Sequence, residues 1–135
     1  MNSSLVKIIN LPKIEDERGN LTFLQNPHQI PFTVKRVFWT YDVPGGQIRG
    51  GHAFKKQEEI IIALSGSFDV VITSPEGTQQ RFQLNRSYYG LYLPPQTWRH
   101  IENHSTNALA LHMVSHFFDE EDYIRNFNEF NYGTK

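Results

Sequence analysis

Apolar and polar positions alternate in short stretches along this chain, and nearly every stretch is closed by glycine, proline or a polar cluster. That spacing predicts many short antiparallel strands. Residues 5–11 and 21–25 predict strands around the polar turn Asp16-Glu17-Arg18-Gly19-Asn20. Residues 32–41 predict a longer strand ending at Pro44-Gly45-Gly46, and residues 47–54 alternate after it. Residues 59–64 and 68–73 flank Ser65-Gly66-Ser67, a hairpin pattern. Beyond the turn Pro75-Glu76-Gly77 come residues 79–84, then 88–93 and 108–116, the last two bracketing a loop that begins at Pro94-Pro95. Only the end reads as helical: Asp119 can cap, with Asp122 three residues on, and Tyr123, Phe127 and Phe130 recur at helical spacing. A terminal helix packed against a sheet is expected.

Composition supports the β reading. Ten Phe, six Tyr and two Trp make 13% of the residues, and aromatic side chains favour the half-buried surface of a sheet. The 135 residues suit one domain, 1–135. Thirteen basic against 14 acidic residues give a net charge of −1. With no basic block, the electrostatic footprint of a nucleic-acid binder is missing. No apolar run is long enough for a membrane helix, and the start lacks a charged segment followed by an apolar one, so a soluble cytoplasmic protein is expected. The absence of cysteine rules out disulfides, thiolate catalysis and thiolate-bound zinc.

Two segments carry polar groups inside strand-like sequence. One is Gly46-Gln-Ile-Arg-Gly-Gly-His52-Ala-Phe54, with Glu59 and Gly66 beyond it; the other is Gly90-Leu-Tyr-Leu-Pro-Pro95-Gln-Thr-Trp98-Arg99-His100. Residues two apart on a strand share a face. His52 and Phe54 should therefore point together, with Arg49 on the other face unless the glycines break the register. Gly46, His52, Glu59 and Gly66 fall on the first motif of the cupin superfamily, Phe54 standing where that motif has a second histidine. Pro95 and His100 fall on its second motif. The resemblance implies an all-β fold, a small jelly-roll (cupin) barrel with a short C-terminal helix and a ligand pocket in the barrel mouth.

A narrower resemblance runs nearly end to end. Asp16-Glu-Arg-Gly-Asn-Leu21, Ile30-Pro-Phe32, Lys35-Arg-Val37, Arg49-Gly-x-His-Ala-x-Lys55, Leu64-Ser-Gly-Ser67, Gly90-Leu-Tyr92, Pro95-x-x-Trp-Arg99 and Asp119-Glu-Glu-Asp-Tyr-Ile-Arg125 are similar to the WxcM-like cupin sugar-nucleotide 3,4-ketoisomerases. Those enzymes act on dTDP-4-keto-6-deoxyhexoses. The resemblance implies proton transfer through an enediolate on dTDP-4-keto-6-deoxyglucose, without metal or other cofactor, in deoxyamino-sugar biosynthesis for surface glycans. It also implies a homodimer that exchanges its N-terminal strands, with residues 5–25 as the edge in need of a partner. Histidine suits the base, since its free pKa is about 6.5.

The chain departs from the family at two positions. Phe38 stands where these enzymes carry an active-site tyrosine, and Phe54 where they carry a second histidine; both become pocket wall. His52 and His100 are then expected to share the proton transfers. Arg18, Arg49, Lys55, Glu59, Tyr92, Trp98 and Arg99 are expected to bind substrate, arginine because guanidinium matches a diphosphate with paired hydrogen bonds. His28, His104, His112 and His116 show no partner spacing and read as solvent or interface residues. Two rival readings follow from the same residues. One is a metal-dependent cupin using His52, Glu59 and His100; the other is a dTDP-sugar-binding cupin without catalysis.

Overall fold

The computed structural model describes residues 5–133, which are almost entirely β. In chain order the strands are β1 (Lys7–Asn10), β2 (Lys13–Ile14), β3 (Leu21–Thr22), β4 (Arg36–Tyr41), β5 (Arg49–Phe54) and β6 (Glu59–Ser65). They continue with β7 (Phe68–Thr73), β8 (Gln79–Leu84), β9 (Tyr89–Leu93), β10 (Trp98–Glu102), β11 (Leu109–Val114) and β12 (Tyr123–Ile124), before helix α1 (Phe127–Gly133). Two five-stranded antiparallel sheets result, ordered β1-β9-β6-β11-β4 and β12-β5-β10-β7-β8, beside the small hairpin β2-β3. From β4 to β11 the chain changes sheet at every step except β7 to β8. This is the jelly roll expected from the sequence, with β1 and β12 each added at one sheet edge.

Alternation along β6 explains how the layers close. Ile61 and Ala63 turn between the sheets and pack with Val70, Ile72, Leu91 and Leu93. Ile60 and Ile62 turn outward, where Leu11, Ile30 and Phe32 cover them. With both faces covered, β6 reads as a nearly continuous apolar run. Each such isoleucine contributes about 1.5–3 kcal/mol by leaving water. Against the outer face of the second sheet, Phe127 and Phe130 of α1 close on Trp98 and Ala53. The interior is packed around β6, β7, β8 and β9, and stays open where β4, β5, β10 and β11 meet.

Several sequence expectations change. Ser65-Gly66-Ser67 is a corner between sheets and not a hairpin: Ser67 exchanges hydrogen bonds with Ser105 instead of β6 pairing with β7. Gly66 has φ +65°, and a Cβ there would lie 2.9 Å from Ala108 Cα. Within the expected loop after Pro95, Trp98–Glu102 forms β10, seated between β5 and β7. Its mixed charged and aromatic residues carry little strand propensity, and its two neighbours decide the matter. β4 starts at Arg36 rather than 32, since Phe32 is drawn onto the outer face of β6.

The end of the chain also differs. Asp119 caps a single 3₁₀ turn, its Oδ1 accepting from the Glu121 amide, and residues 123–124 then pair with β5. The helix begins only at Phe127. Tyr123 and Phe127 therefore belong to different elements. At the other end, β1 pairs in register with β9 of its own chain, Lys7 opposite Tyr92. Among the described residues no helix is long and apolar enough to cross a membrane.

Candidate active site

The open end of the interior is a cavity of about 300 Å³, within reach of the lower bound for small-molecule pockets. Its walls are Phe38 and Thr40 of β4, Arg49, Gly50, His52 and Phe54 of β5, Glu59 and Ile61 of β6, and Arg99 and Ile101 of β10. His112 of β11, Tyr123 of β12 and Arg125 complete it. A break in register brings Arg49 into this set. The β5–β10 pairing slips between Arg99 and His100, and Gly50 lies at φ +93° with room for no comfortable side chain: a Cβ would sit 3.2 Å from His100 Cα. The glycine bulge turns Arg49 toward the face that His52 and Phe54 already share.

At the floor, Glu59 is 2% exposed and holds two partners, one on each oxygen. Arg99 Nη1 donates to Oε1, and His112 Nδ1 meets Oε2. Burial alone would raise the Glu59 pKa, but the Arg99 charge and the His112 contact outweigh it and bring it down to about 2. The carboxylate is therefore ionised, and it fixes the His112 tautomer with the proton on Nδ1. The His112 ring stacks on Phe38, centroids 4.5 Å apart and 5° from parallel. Arg99 also donates from Nε to the Thr97 carbonyl at 3.2 Å, and its guanidinium lies 5.1 Å from the Phe54 ring centre. A buried charge cluster stabilises a fold no better than apolar packing would, so its presence in a cavity wall points to chemistry.

His52 stands above this floor. Its ring meets Phe54 edge-on at 4.9 Å and Tyr123 at 5.2 Å. Burial, and then the positive charge of Arg99, push its pKa down to about 3. The imidazole is neutral at physiological pH, with a lone pair to accept a proton. The guanidinium of Arg125 lies 4.0 Å from the Tyr123 ring centre and pairs with Glu120 at 2.6 Å.

Of the residues singled out from sequence, the cavity brings together His52, Arg49, Glu59, Arg99, Phe38 and Phe54. The others lie elsewhere. His100 is one residue out of phase with Arg99, so it sits on the outer face of β10, its Nε2 2.8 Å from Glu102. Trp98 shares that outer face and packs on α1. Tyr92 alternates outward from Leu91 and bonds to Glu58 at 2.6 Å. Arg18 is exposed in the β2–β3 turn, paired with Asp16 at 2.8 Å. Lys55 follows β5 beyond Phe54 and is exposed. The metal-binding alternative fails on this geometry, since His100 cannot converge with His52 and Glu59. Among the described residues no group of three His, Cys, Asp or Glu side chains could hold a metal ion.

Sequence reasoning missed His112, Tyr123 and Arg125. His28 and His116 are exposed as expected, but His104 packs on Phe68 and His112 is 5% exposed in the cavity wall. The available signal was a histidine in the middle of an apolar strand, two residues from Ala110 and Val114, both of which face inward. Tyr123 and Arg125 were hidden by the helical reading of their segment.

Fold and site together define a jelly-roll protein with a half-polar cavity built for acid–base chemistry on a small ligand. The FdtA family (WxcM-like, C-terminal) matches residues 4–135, and the chain belongs to it. A TDP-4-oxo-6-deoxy-α-D-glucose-3,4-oxoisomerase of Aneurinibacillus thermoaerophilus is 36% identical over 124 residues, covering 92% of this chain and 88% of that protein. The crystal structure of WlaRB, a TDP-quinovose 3,4-ketoisomerase of Campylobacter jejuni, superposes with a TM-score of 0.89 at 38% identity, covering 95% and 98% of the two chains. A His-to-Asn mutant of the 3,4-ketoisomerase QdtA of Thermoanaerobacterium thermosaccharolyticum, in complex with TDP-4-keto-6-deoxyglucose, superposes with a TM-score of 0.92 at 31% identity, covering 95% and 92%.

Proposed function

We propose that this protein is a sugar-nucleotide 3,4-ketoisomerase that moves the carbonyl of dTDP-4-keto-6-deoxyglucose from C4 to C3. One observation carries the reading: a neutral, half-buried imidazole, His52, projects into a cavity beside a buried arginine that can hold an oxyanion. The C3 hydrogen of a 4-keto sugar is acidified by the neighbouring carbonyl. His52 removes it, the electrons move to the C4 oxygen, and the resulting enediolate is held by the Arg99 charge. Return of the proton to C4 leaves the carbonyl at C3. Burial and then the positive charges of Arg99 and Arg125 depress His52; a bound diphosphate near Arg49 and Arg125 offsets the charge contribution and so raises its basicity once substrate is in place. The pair Phe38 and Phe54 keeps water from the enediolate.

The product bears a 3-ketone, the group an aminotransferase needs, which supports a role in cytoplasmic synthesis of deoxyamino sugars for surface glycans. A homodimer is supported by the outer face of the first sheet, where Val37, Trp39, Tyr41 and Leu64 are exposed together; β1 exchanged between copies could make the register it now makes with β9. Light scattering on the native chain and on Trp39→Glu tests this, with dissociation of the variant expected.

The activity is tested by incubating the protein with dTDP-4-keto-6-deoxyglucose in deuterated water and following the sugar by NMR. Deuterium should enter the sugar as the ketone migrates, and His52→Asn should slow both at least about 100-fold. Tight binding of dTDP without any exchange of the C3 hydrogen would instead make the chain a non-catalytic binder.

A further inference from the structure

Ketone migration requires two hydrogen movements, and His52 performs only one of them. The carbon-bound hydrogen passes from C3 to C4; the hydroxyl hydrogen must pass from O3 to O4. Phe38 and Phe54, the cavity aromatics nearest the floor, have no exchangeable proton to offer.

Two polar atoms of the cavity wall are buried without any protein partner: Nε2 of His112 and Nη2 of Arg99. Their side chains are gripped by the two oxygens of one carboxylate, Glu59. With Nδ1–H donating to that carboxylate, the neutral His112 ring offers the Nε2 lone pair as an acceptor, while Arg99 Nη2 donates. Both residues line the cavity, and one acceptor and one donor complement a hydroxyl next to a carbonyl on a sugar ring. Buried polar groups are rarely left unmet in a native interior, and a ligand that satisfies both removes the deficit. A carboxylate behind an imidazole also has a known use, setting its orientation and tautomer and stabilising the imidazolium when it forms. The ring's place is set by register and stacking: β11 puts His112 opposite Phe38 on β4 and Ile61 on β6, and the ring stacks on Phe38.

We propose that His112, positioned by Glu59, is a second catalytic residue, which carries the hydroxyl proton from O3 to O4 while Arg99 Nη2 holds the C4 oxygen. This rests on the reaction proposed above. The steps balance without any further reagent. His52 takes the C3 hydrogen, the C3–C4 double bond forms and O4 becomes an oxyanion. The O3–H bond then breaks as His112 Nε2–H forms, and that bond breaks in turn as O4–H forms. The electrons on O3 close the new carbonyl at C3, and the protonated His52 returns its hydrogen to C4. No net proton is gained or lost.

The experiment separates the two movements. In deuterated water, exchange at C3 reports His52 alone, while appearance of the 3-ketone needs both histidines. His112→Asn keeps an amide N–H able to reach Glu59 and removes only the Nε2 function. The expected result is C3 exchange within a few-fold of wild type, ketone migration down by about 100-fold or more, and unchanged TDP affinity. In His112→Ala, added imidazole should restore migration without altering exchange, which covers the case of a poorly folded Asn variant. Equal loss of exchange and migration, or no loss of either, with wild type active, overturns the assignment of His112 alone. A wild-type protein inert in both readouts overturns the reaction, and the assignment with it.

Discussion

Acidification should unfold this protein early, and His52 should carry a measurable share of the effect. Its pKa is about 3 in the folded chain and about 6.5 when free in water. Below pH 6.5 the unfolded chain therefore takes up a proton that the folded chain refuses, so stability falls as pH drops through this window toward 3. Each pH unit of that window removes about 1.36 kcal/mol. From pH 8 to pH 5 the loss due to this ring alone is about 2 kcal/mol. Glu59, held near 2 by Arg99 and His112, acts in the same direction but only once the pH falls below about 4.5. At pH 5 the two contributions are thus separable. Urea unfolding at fixed protein concentration, followed by fluorescence of the buried Trp98, gives the measurement. With a urea dependence of about 1.5 kcal/mol per molar, the wild-type midpoint should fall about 1.3 M further between pH 8 and pH 5 than that of His52→Gln. If both midpoints moved equally, the ring would not be buried beside a positive charge, and the account of the base would fail with it.

Three further outcomes follow from the geometry. Glu59→Ala leaves the Arg99 guanidinium buried without its counter-charge and should cost about 3–5 kcal/mol by thermal or urea unfolding, while Glu59→Leu combined with Arg99→Met should lose less. Gly66→Ala drives a methyl to 2.3 Å from Ser105 Oγ, at φ +65°, and should cost about 1–3 kcal/mol in the same assay; a neutral result would mean the corner has slack. If, as proposed, His52 both removes and returns the carbon-bound hydrogen, that hydrogen should reach C4 on the ring face it left at C3, giving the axial 4-hydroxyl of the galacto configuration by NMR, whereas a gluco product would require a second donor across the ring.

Much of this was legible in the residues alone. Aromatic-rich stretches cut by turn signals specify many short strands, and period-two alternation puts His52 and Phe54 on one face wherever the strand ends up. Glu59 also stands out, as a carboxylate opening an otherwise apolar run. Alternation assigns residues to the same or opposite faces, but it cannot say which face is inside. For that reason Arg99 and His100 were indistinguishable until β10 was seen between β5 and β7, where a one-residue offset sends the first inward and the second outward. The Gly50 bulge moved Arg49 the other way, against strict alternation.

Strand period and turn residues are local properties of the chain, so the residues alone specify many short strands; the jelly roll and the place of His52 in its mouth are legible through the family resemblance. Which groups surround His52 in the cavity depends on long-range strand pairing. Glu59 and His112 are 53 positions apart, and no local pattern connects them. They meet because β6 pairs with β11, and their burial in the wall of the open cavity turns a histidine in an apolar strand into a candidate acid and base.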